Sequence, residues 1–585
     1  MRGSIALLIA TFYHLQNVTQ QQVAGFFVSS NTVRARYLFG SDTPSILSSA
    51  TSRRTFSLHS TFTTSTETKQ DNNIDKTQVS DRYIGSIAFL LPSGDDAVTK
   101  PSKFGIHSPV ERPSYLQAAK HLASKAGWFS DDQVTTTIVT APNDGDDTTK
   151  IRDTLEDANI LIAMGLSKPT DMKFAESIFH NRQQQTSEER FSKCQFALDC
   201  DESSGQLSTL VGPFDKQTAR TNPSLLFPWT DAASGQRFDE QMEGLFDRWT
   251  SDDFTVALML FLNRFSGSPV NWVKDSADAT WEKGPIRNAQ ELYQMATKCG
   301  DCLAKCLQDE TCKTCLEKLT ELDTRDQAAS YRTIVSYESE ALKDFSFCVF
   351  QKHNVFQCEA TIPTIPKVTP MTKWRGSELT EGVARSLLIG HLDDDNAPEG
   401  STKLDISWKV ACGANVAYDQ FPSQNQLFYE AAKGKDMWYD PVFRVETLDG
   451  RNVWCKRHYR VRNGPIPGTF RLSVLDNGVT SNEFWTIIGA ADDLSWIAFH
   501  YAGAATSVGQ RYLGGLLCTP DGSLPEQSQL ETIWPIFQNA GIEPWELFVV
   551  NNDPQGPGAL EAGPPPLDFY RKEVLASKEK LKGLQ

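Results

Sequence analysis

The chain has 585 residues, with 57 Lys and Arg against 73 Asp and Glu and a formal net charge of −16. That length exceeds a single hydrophobic core and implies several folded units. The acidic balance argues against a nucleic-acid partner, and no window reaches the roughly 18 apolar residues of a membrane helix.

Residues 1–25 read as a signal peptide, with Arg2, an apolar run over 5–13 and a small-residue cleavage site at Val23-Ala24-Gly25. Residues 26–80 read as a transit peptide and a disordered linker: Ser- and Thr-rich, poor in acids as far as about Lys69, and carrying Arg34, Arg36, Arg53 and Arg54. A signal peptide followed directly by Phe26 and a transit peptide resembles the bipartite presequence of algae with secondary plastids. The expected location is a plastid (chloroplast), with stroma and thylakoid lumen both open.

Residues 81–298 form an expected N-terminal α/β domain of unknown role. Apolar runs over 84–91, 134–140 and 159–164 read as strands, and 115–126 and 148–157 as helices, so the unit is a small parallel sheet. The loop over 141–147 is acidic and lacks a phosphate-binding glycine pattern, which removes a nucleotide site. Residues 225–298 read as mainly helical.

Residues 299–366 form a helical cysteine-rich domain. Seven of the twelve cysteines fall here: Cys299, Cys302, Cys306, Cys312, Cys315, Cys348 and Cys358. Cys299/Cys302 and Cys312/Cys315 form two C-x-x-C units that could hold zinc, but the spacer between them is short and no histidine accompanies them. Alternatively, Cys299, Cys302 and Cys306 share one helix face and can bridge a neighbouring helix. Disulfides are the expectation, with no metal. The odd count needs an outside partner, for which Cys412 is the candidate.

Residues 367–553 read as an eight-stranded antiparallel β-barrel of lipocalin-like type. Strands are expected over 408–413, 424–429, 442–447, 452–460, 469–474, 483–488, 494–501 and 512–519. Turn signals at Asp449-Gly450, Gly464-Pro-Ile-Pro-Gly468 and Asn477-Gly478 join them, and a helix follows over about 525–540. The fold class is therefore multidomain α+β. Gly514 and Gly515 read as backbone punctuation. Alternation on the seventh strand sets Ala498 and His500 on one face and Phe499 and Tyr501 on the other, so one of His500 and Tyr501 must point inward. Residues 554–585 read as a solvated tail.

The cysteine-rich segment followed by this barrel resembles the violaxanthin de-epoxidases, and more closely the violaxanthin de-epoxidase-related proteins of the lipocalin superfamily. The runs that carry the likeness are Met437-Trp-Tyr-Asp-Pro-Val-Phe-Arg-Val-Glu-Thr-Leu-Asp-Gly450, His458-Tyr-Arg-Val-Arg462, Pro467-Gly-Thr-Phe470, Ser473-Val-Leu-Asp-Asn-Gly-Val-Thr-Ser481 and Glu483-Phe-Trp-Thr486. The resemblance implies reductive opening of a xanthophyll epoxide, with ascorbate as reductant and a violaxanthin-like ligand in the barrel. It places the catalytic acid at Asp419, in Asn415-Val-Ala-Tyr-Asp419, where an apolar barrel mouth would raise a carboxyl pKa. The alternative role for Asp419 is a turn cap. Trp408, Tyr418, Gln424, His500 and Tyr501 are the expected substrate contacts. A thylakoid membrane surface and a thioredoxin-type redox protein are further expected partners. The competing functions are a non-catalytic carotenoid-binding lipocalin and a redox-sensing plastid protein.

Overall fold

Gly85-Ser-Ile-Ala-Phe-Leu-Leu91 has almost no face to offer water, and it becomes the central strand β1 (Gly85–Leu91) of a parallel sheet. The computed structural model describes residues 85–130, 134–143, 148–183, 193–201, 210–211, 246, 248–266, 284–321, 327–356, 361–390, 407–414, 421–431, 436–505 and 510–552. β1 lies between β2 (Val134–Thr140) and β3 (Ile160–Met164). Beyond β3 come β4 (Cys194–Leu198), also parallel, and β5 (Leu210–Val211), antiparallel at the edge. Helices α1 (Tyr115–Phe129), α2 (Thr149–Asp157) and α3 (Pro169–Gln183) make the crossovers. A reciprocal capping box between Ser114 and Gln117 starts α1. Helix α4 (Ser251–Ser266) adds Phe254, Leu258 and Phe261 to the core of Ile87, Phe89 and Ile162.

Helix α5 (Gly284–Gln308) passes through the expected 298/299 boundary and kinks at Cys299. Helices α6 (Glu310–Glu321), α7 (Gln327–Ser336) and α8 (Glu340–Ser346) follow, and α8 runs into a π-turn over Phe347–Lys352. Two buried disulfides, Cys299–Cys348 and Cys306–Cys312, tie α5 to the π-turn and to α6. Neither C-x-x-C unit therefore keeps both thiols for zinc. Cys302 is a half-buried free thiol. Cys315 and Cys412 are buried and belong to neither of these disulfides, while Cys358 lies outside the described residues.

A small hairpin of β6 (Lys373–Trp374) and β7 (Ser377–Glu378) leads to helix α9 (Glu381–Ile389). The barrel strands are β8 (Trp408–Gly413), β9 (Asn425–Glu430), β10 (Met437–Glu446), β12 (Tyr459–Asn463), β13 (Thr469–Asp476), β14 (Val479–Ala490), β15 (Ile497–Ala505) and β16 (Gln510–Thr519). Each pairs antiparallel with the next, and β16 returns to β8, which closes an eight-stranded barrel.

One expected strand is two. Residues 452–460 divide into β11 (Asn452–Lys456) and β12, because the ladder to β10 stops opposite Pro441, which has no N–H to give. β10 accordingly starts at Met437 rather than at residue 442: its first half closes the barrel and its second half forms a hairpin with β11. Asp440 lashes the outer side of this junction. It accepts from His458 Nδ1 at 2.6 Å, Lys456 Nζ at 3.0 Å and the Tyr429 hydroxyl at 3.0 Å.

Helix α10 (Gln527–Asn539) lays Leu530, Ile533 and Phe537 against the outer faces of Cys412, Ile488, Ala498 and Leu517. A strap over residues 544–549 follows, and its strand β17 (Phe548–Val549) pairs with β8. Among the described residues, no helix is long and apolar enough to cross a membrane.

Candidate functional site

Period-two alternation along β14 sends Glu483, Trp485 and Ile487 into the lumen and Phe484, Thr486 and Ile488 outward. On β15 it sends Phe499 and Tyr501 inward, and on β16 Tyr512, Gly514 and Leu516. The lumen is lined by touching rings. Phe428 stacks on Tyr439 (centroids 4.4 Å apart), Tyr439 meets Trp485 at 5.4 Å, and Trp485 stacks on Tyr501 at 5.4 Å. Tyr501 meets Tyr512 edge-on at 6.3 Å. Gly514 is not mere punctuation. A Cβ there would fall 2.3 Å from the Tyr501 ring, and one at Gly503 would fall 2.0 Å from the ring of Tyr512.

Glu483 is the one carboxyl among these rings in the described lumen, and only 5% of it is exposed. It sits opposite Gly503, two residues before β15 ends at Ala505, so it lies towards one mouth of the barrel. The Trp485 indole N–H donates to its Oε2 at 2.6 Å and the Tyr512 hydroxyl to its Oε1 at 2.7 Å. Both donors are neutral. Burial therefore pushes the Glu483 pKa above the ordinary glutamate range, and the two hydrogen bonds pull it down only in part. A protonated carboxyl in an apolar lumen is suited to general acid chemistry. Further along, the Tyr439 hydroxyl donates to the Gln426 side-chain oxygen, a second polar pair within the ring lining.

The structure distributes the expected site residues unevenly. Tyr501 is in the lumen, stacked on Trp485. His500 shares the outer face of Ala498, across from Gly515 of β16, so it is not a lumenal contact; burial pushes its pKa down to about 4. Trp408 lies at the opposite end of the barrel from Glu483, fully buried with Leu387 and Leu388 of α9. Its indole N–H is spent on the Leu387 carbonyl at 3.0 Å, so it serves as part of the barrel floor. Gln424 is buried, and its amide donates to the Phe421 carbonyl at 2.8 Å. Asp419 and Tyr418 lie outside the described residues. The sequence reading passed over Glu483, Trp485 and Tyr512 as acid and donors. Their signal was present: a lone acid at an inward position of an alternating strand, two residues before a tryptophan.

A closed eight-stranded antiparallel barrel with a helix packed along its outside, and a ring-lined lumen, is a lipocalin-type barrel. Residues 291–552 match the family model described as the VDE lipocalin domain. Over that span the chain carries a lipocalin domain of the violaxanthin de-epoxidase type. Among solved structures, it is similar to lobster apocrustacyanin A1 at 12% identity, over 32% of this chain and 92% of that one, with a TM-score of 0.20. Apocrustacyanin C1 aligns at 12% identity over 36% and 99%, with a TM-score of 0.21. H1 crustacyanin from Homarus americanus aligns at 13% identity over 32% and 93%, with a TM-score of 0.19. No curated protein matches the chain.

Proposed function

We propose that this protein takes a xanthophyll epoxide into the barrel lumen and opens it by acid catalysis, with Glu483 as the acid. The observation that carries the reading is Glu483 itself: a buried carboxyl with two neutral donors, in the barrel of a violaxanthin de-epoxidase-related domain. The aromatic lining supplies flat apolar surface for a polyene. In the proposed step the Glu483 proton goes to the epoxide oxygen as a C–O bond breaks. Ascorbate, taken as the reducing co-substrate, gives two electrons and two protons. The oxygen leaves as water, a carbon–carbon double bond replaces the epoxide, dehydroascorbate is the second product, and Glu483 is reprotonated. Tyr512 and Trp485 fix the orientation of the carboxyl. The presequence reading supports a plastid location.

A second reading is a carotenoid-binding lipocalin without turnover, for which the same lumenal rings would supply the apolar contact surface. Incubating the full chain with violaxanthin, with and without ascorbate, separates the cases. De-epoxidised pigment only with ascorbate supports the reductive reading. An isomerised product without ascorbate indicates redox-neutral rearrangement, and retained, unaltered pigment supports the carrier.

A further inference from the structure

The Cys299–Cys348 disulfide has a third potential metal ligand beside it. The two sulfurs and a ring nitrogen of His353 all lie within 4.8 Å of one another, and among the described residues this is the only such grouping of three. We propose that this disulfide, once reduced, becomes a zinc site, with the ion held by the thiolates of Cys299 and Cys348 and the imidazole of His353. This departs from the sequence expectation of no metal. The site is separate from the barrel lumen and does not depend on the chemistry proposed there.

Two breaks in helical backbone bring the ligands together. Cys299 sits at the kink of α5, at φ −121° and ψ 15°. Cys348 lies in the π-turn that extends α8, with its Cα 5.9 Å from that of Cys299. His353 follows five residues later, and its N–H donates to the Cys348 carbonyl at 3.1 Å. In a regular α-helix residues five apart stand about 140° apart around the axis, whereas the wider π-turn brings them to one side. Asn354 then ends the turn in a left-handed conformation at φ 38°, which an asparagine tolerates, and Val355 and Phe356 return to the core. The β13–β14 turn packs directly on the start of the π-turn, where a Cβ at Gly478 would clash with the Phe347 nitrogen.

The chemistry balances simply. A dithiol reductant opens the Cys299–Cys348 bond, giving two electrons and two protons to the cysteines and becoming a disulfide itself. Zinc then displaces the two thiol protons, since the thiolate is the ligand form. Cys299 and Cys348 are only 1% and 4% exposed, so bare thiolates there would be costly. A zinc ion cancels both charges, and a neutral imidazole adds none. Tetrahedral zinc with bonds of about 2.3 Å to sulfur needs the two sulfurs about 3.8 Å apart, a separation that side-chain rotation supplies at the present Cα spacing. Among the described residues the His353 ring makes no hydrogen bond or ion pair, so binding the ion breaks no existing contact. His353 is half-buried, which leaves the fourth position to water. The ion would keep α5 tied to the π-turn after the disulfide has opened.

The test uses the full-length chain, oxidised or reduced with a phosphine that is then removed. Cobalt(II) is the spectroscopic probe and zinc its competitor. The reduced chain should bind one cobalt with a sulfur-to-cobalt charge-transfer band and the visible bands of a tetrahedral ion, and zinc should bleach both. The oxidised chain should show neither. X-ray absorption of the zinc form should count two sulfurs at about 2.3 Å and one imidazole nitrogen. His353→Gln should weaken cobalt binding by the reduced chain about tenfold or more. The same variant should leave the melting temperature of the oxidised chain unchanged, because His353 lies outside the disulfide and is half-buried. Zinc should raise the melting temperature of the reduced wild type and not that of the oxidised one. No tetrahedral cobalt in the reduced chain, an equal signal from the oxidised chain, undiminished cobalt affinity in His353→Gln, or three or four sulfurs around zinc would overturn the proposal.

Discussion

The Tyr512 hydroxyl donates to Glu483 Oε1 at 2.7 Å, joining β14 and β16 over Gly503 of the strand between them. This bond opposes the effect of burial on Glu483, because it favours the charged carboxylate. Tyr512→Phe should therefore raise the Glu483 pKa further and move the alkaline limb of any pH–activity profile upward. A hydrogen bond to a charged group is worth about 1.5–3 kcal/mol, so a shift of about one pH unit is the expected scale. A pH–rate profile checks this, and a downward shift would contradict the account.

Stability should also carry the signature of Glu483. Its folded pKa is raised above the ordinary value of 4.5, so the folded state holds this proton more tightly than the unfolded chain does. The contribution is fully present below the unfolded pKa and is lost as pH rises through the folded one. Melting temperatures across this range should fall for the wild type relative to Glu483→Gln, whose neutral side chain lacks that slope.

Where the α/β unit meets the strap, Lys125 of α1 reaches Glu546 at 2.5 Å and Asp252 of α4 at 2.6 Å. Burial alone would lower the Lys125 pKa, but the two carboxylates outweigh it and hold the ammonium charged. Burial likewise works to raise the pKa of Glu546, and the His121 and Lys125 charges hold it well below the usual range. Lys125→Met leaves buried carboxylates without their cation and should cost about 3–5 kcal/mol in chemical denaturation. Adding Glu546→Gln should recover part of that loss. A cost under about 1 kcal/mol would mean the network is not the clasp described.

The two disulfides should differ in weight. Cys299–Cys348 spans a sequence separation of 49 and Cys306–Cys312 one of 6. Chain-entropy arguments give about 4 kcal/mol for the longer loop and about 2 kcal/mol for the shorter. Cys348→Ser should therefore destabilise the chain more than Cys312→Ser, as read by denaturant midpoints at constant slope.

Much of the architecture was legible in the sequence. Alternation and the Asp449-Gly450 and Asn477-Gly478 turns located the barrel strands, and their cysteine-rich prelude was equally plain. The break between β11 and β12 was less so, because it depends on Pro441 of a different strand. The inward choice between His500 and Tyr501 also needed three dimensions: parity separates the two residues but does not say which face is the lumen. Glu483 was missed for a related reason. An acid that follows Thr480-Ser481-Asn482 reads as an exposed position until pairing with Gly503 and the donors Tyr512 and Trp485 show it enclosed. Disulfide pairing and the approach of His353 to Cys299 rest on contacts between distant segments, which no local pattern encodes.

The most direct test of the central claim is pigment conversion by three forms of the full chain: wild type, Glu483→Gln and Asp419→Asn. Each would be given violaxanthin and ascorbate at pH 5 and at pH 7.5. With Glu483 as the acid, the wild type makes de-epoxidised product at pH 5 and much less at pH 7.5. Glu483→Gln should lose about 100-fold or more of that rate, the scale of a missing general acid, while Asp419→Asn keeps most of it. Full activity in Glu483→Gln, or loss confined to Asp419→Asn, would contradict the assignment and return the acid role to Asp419.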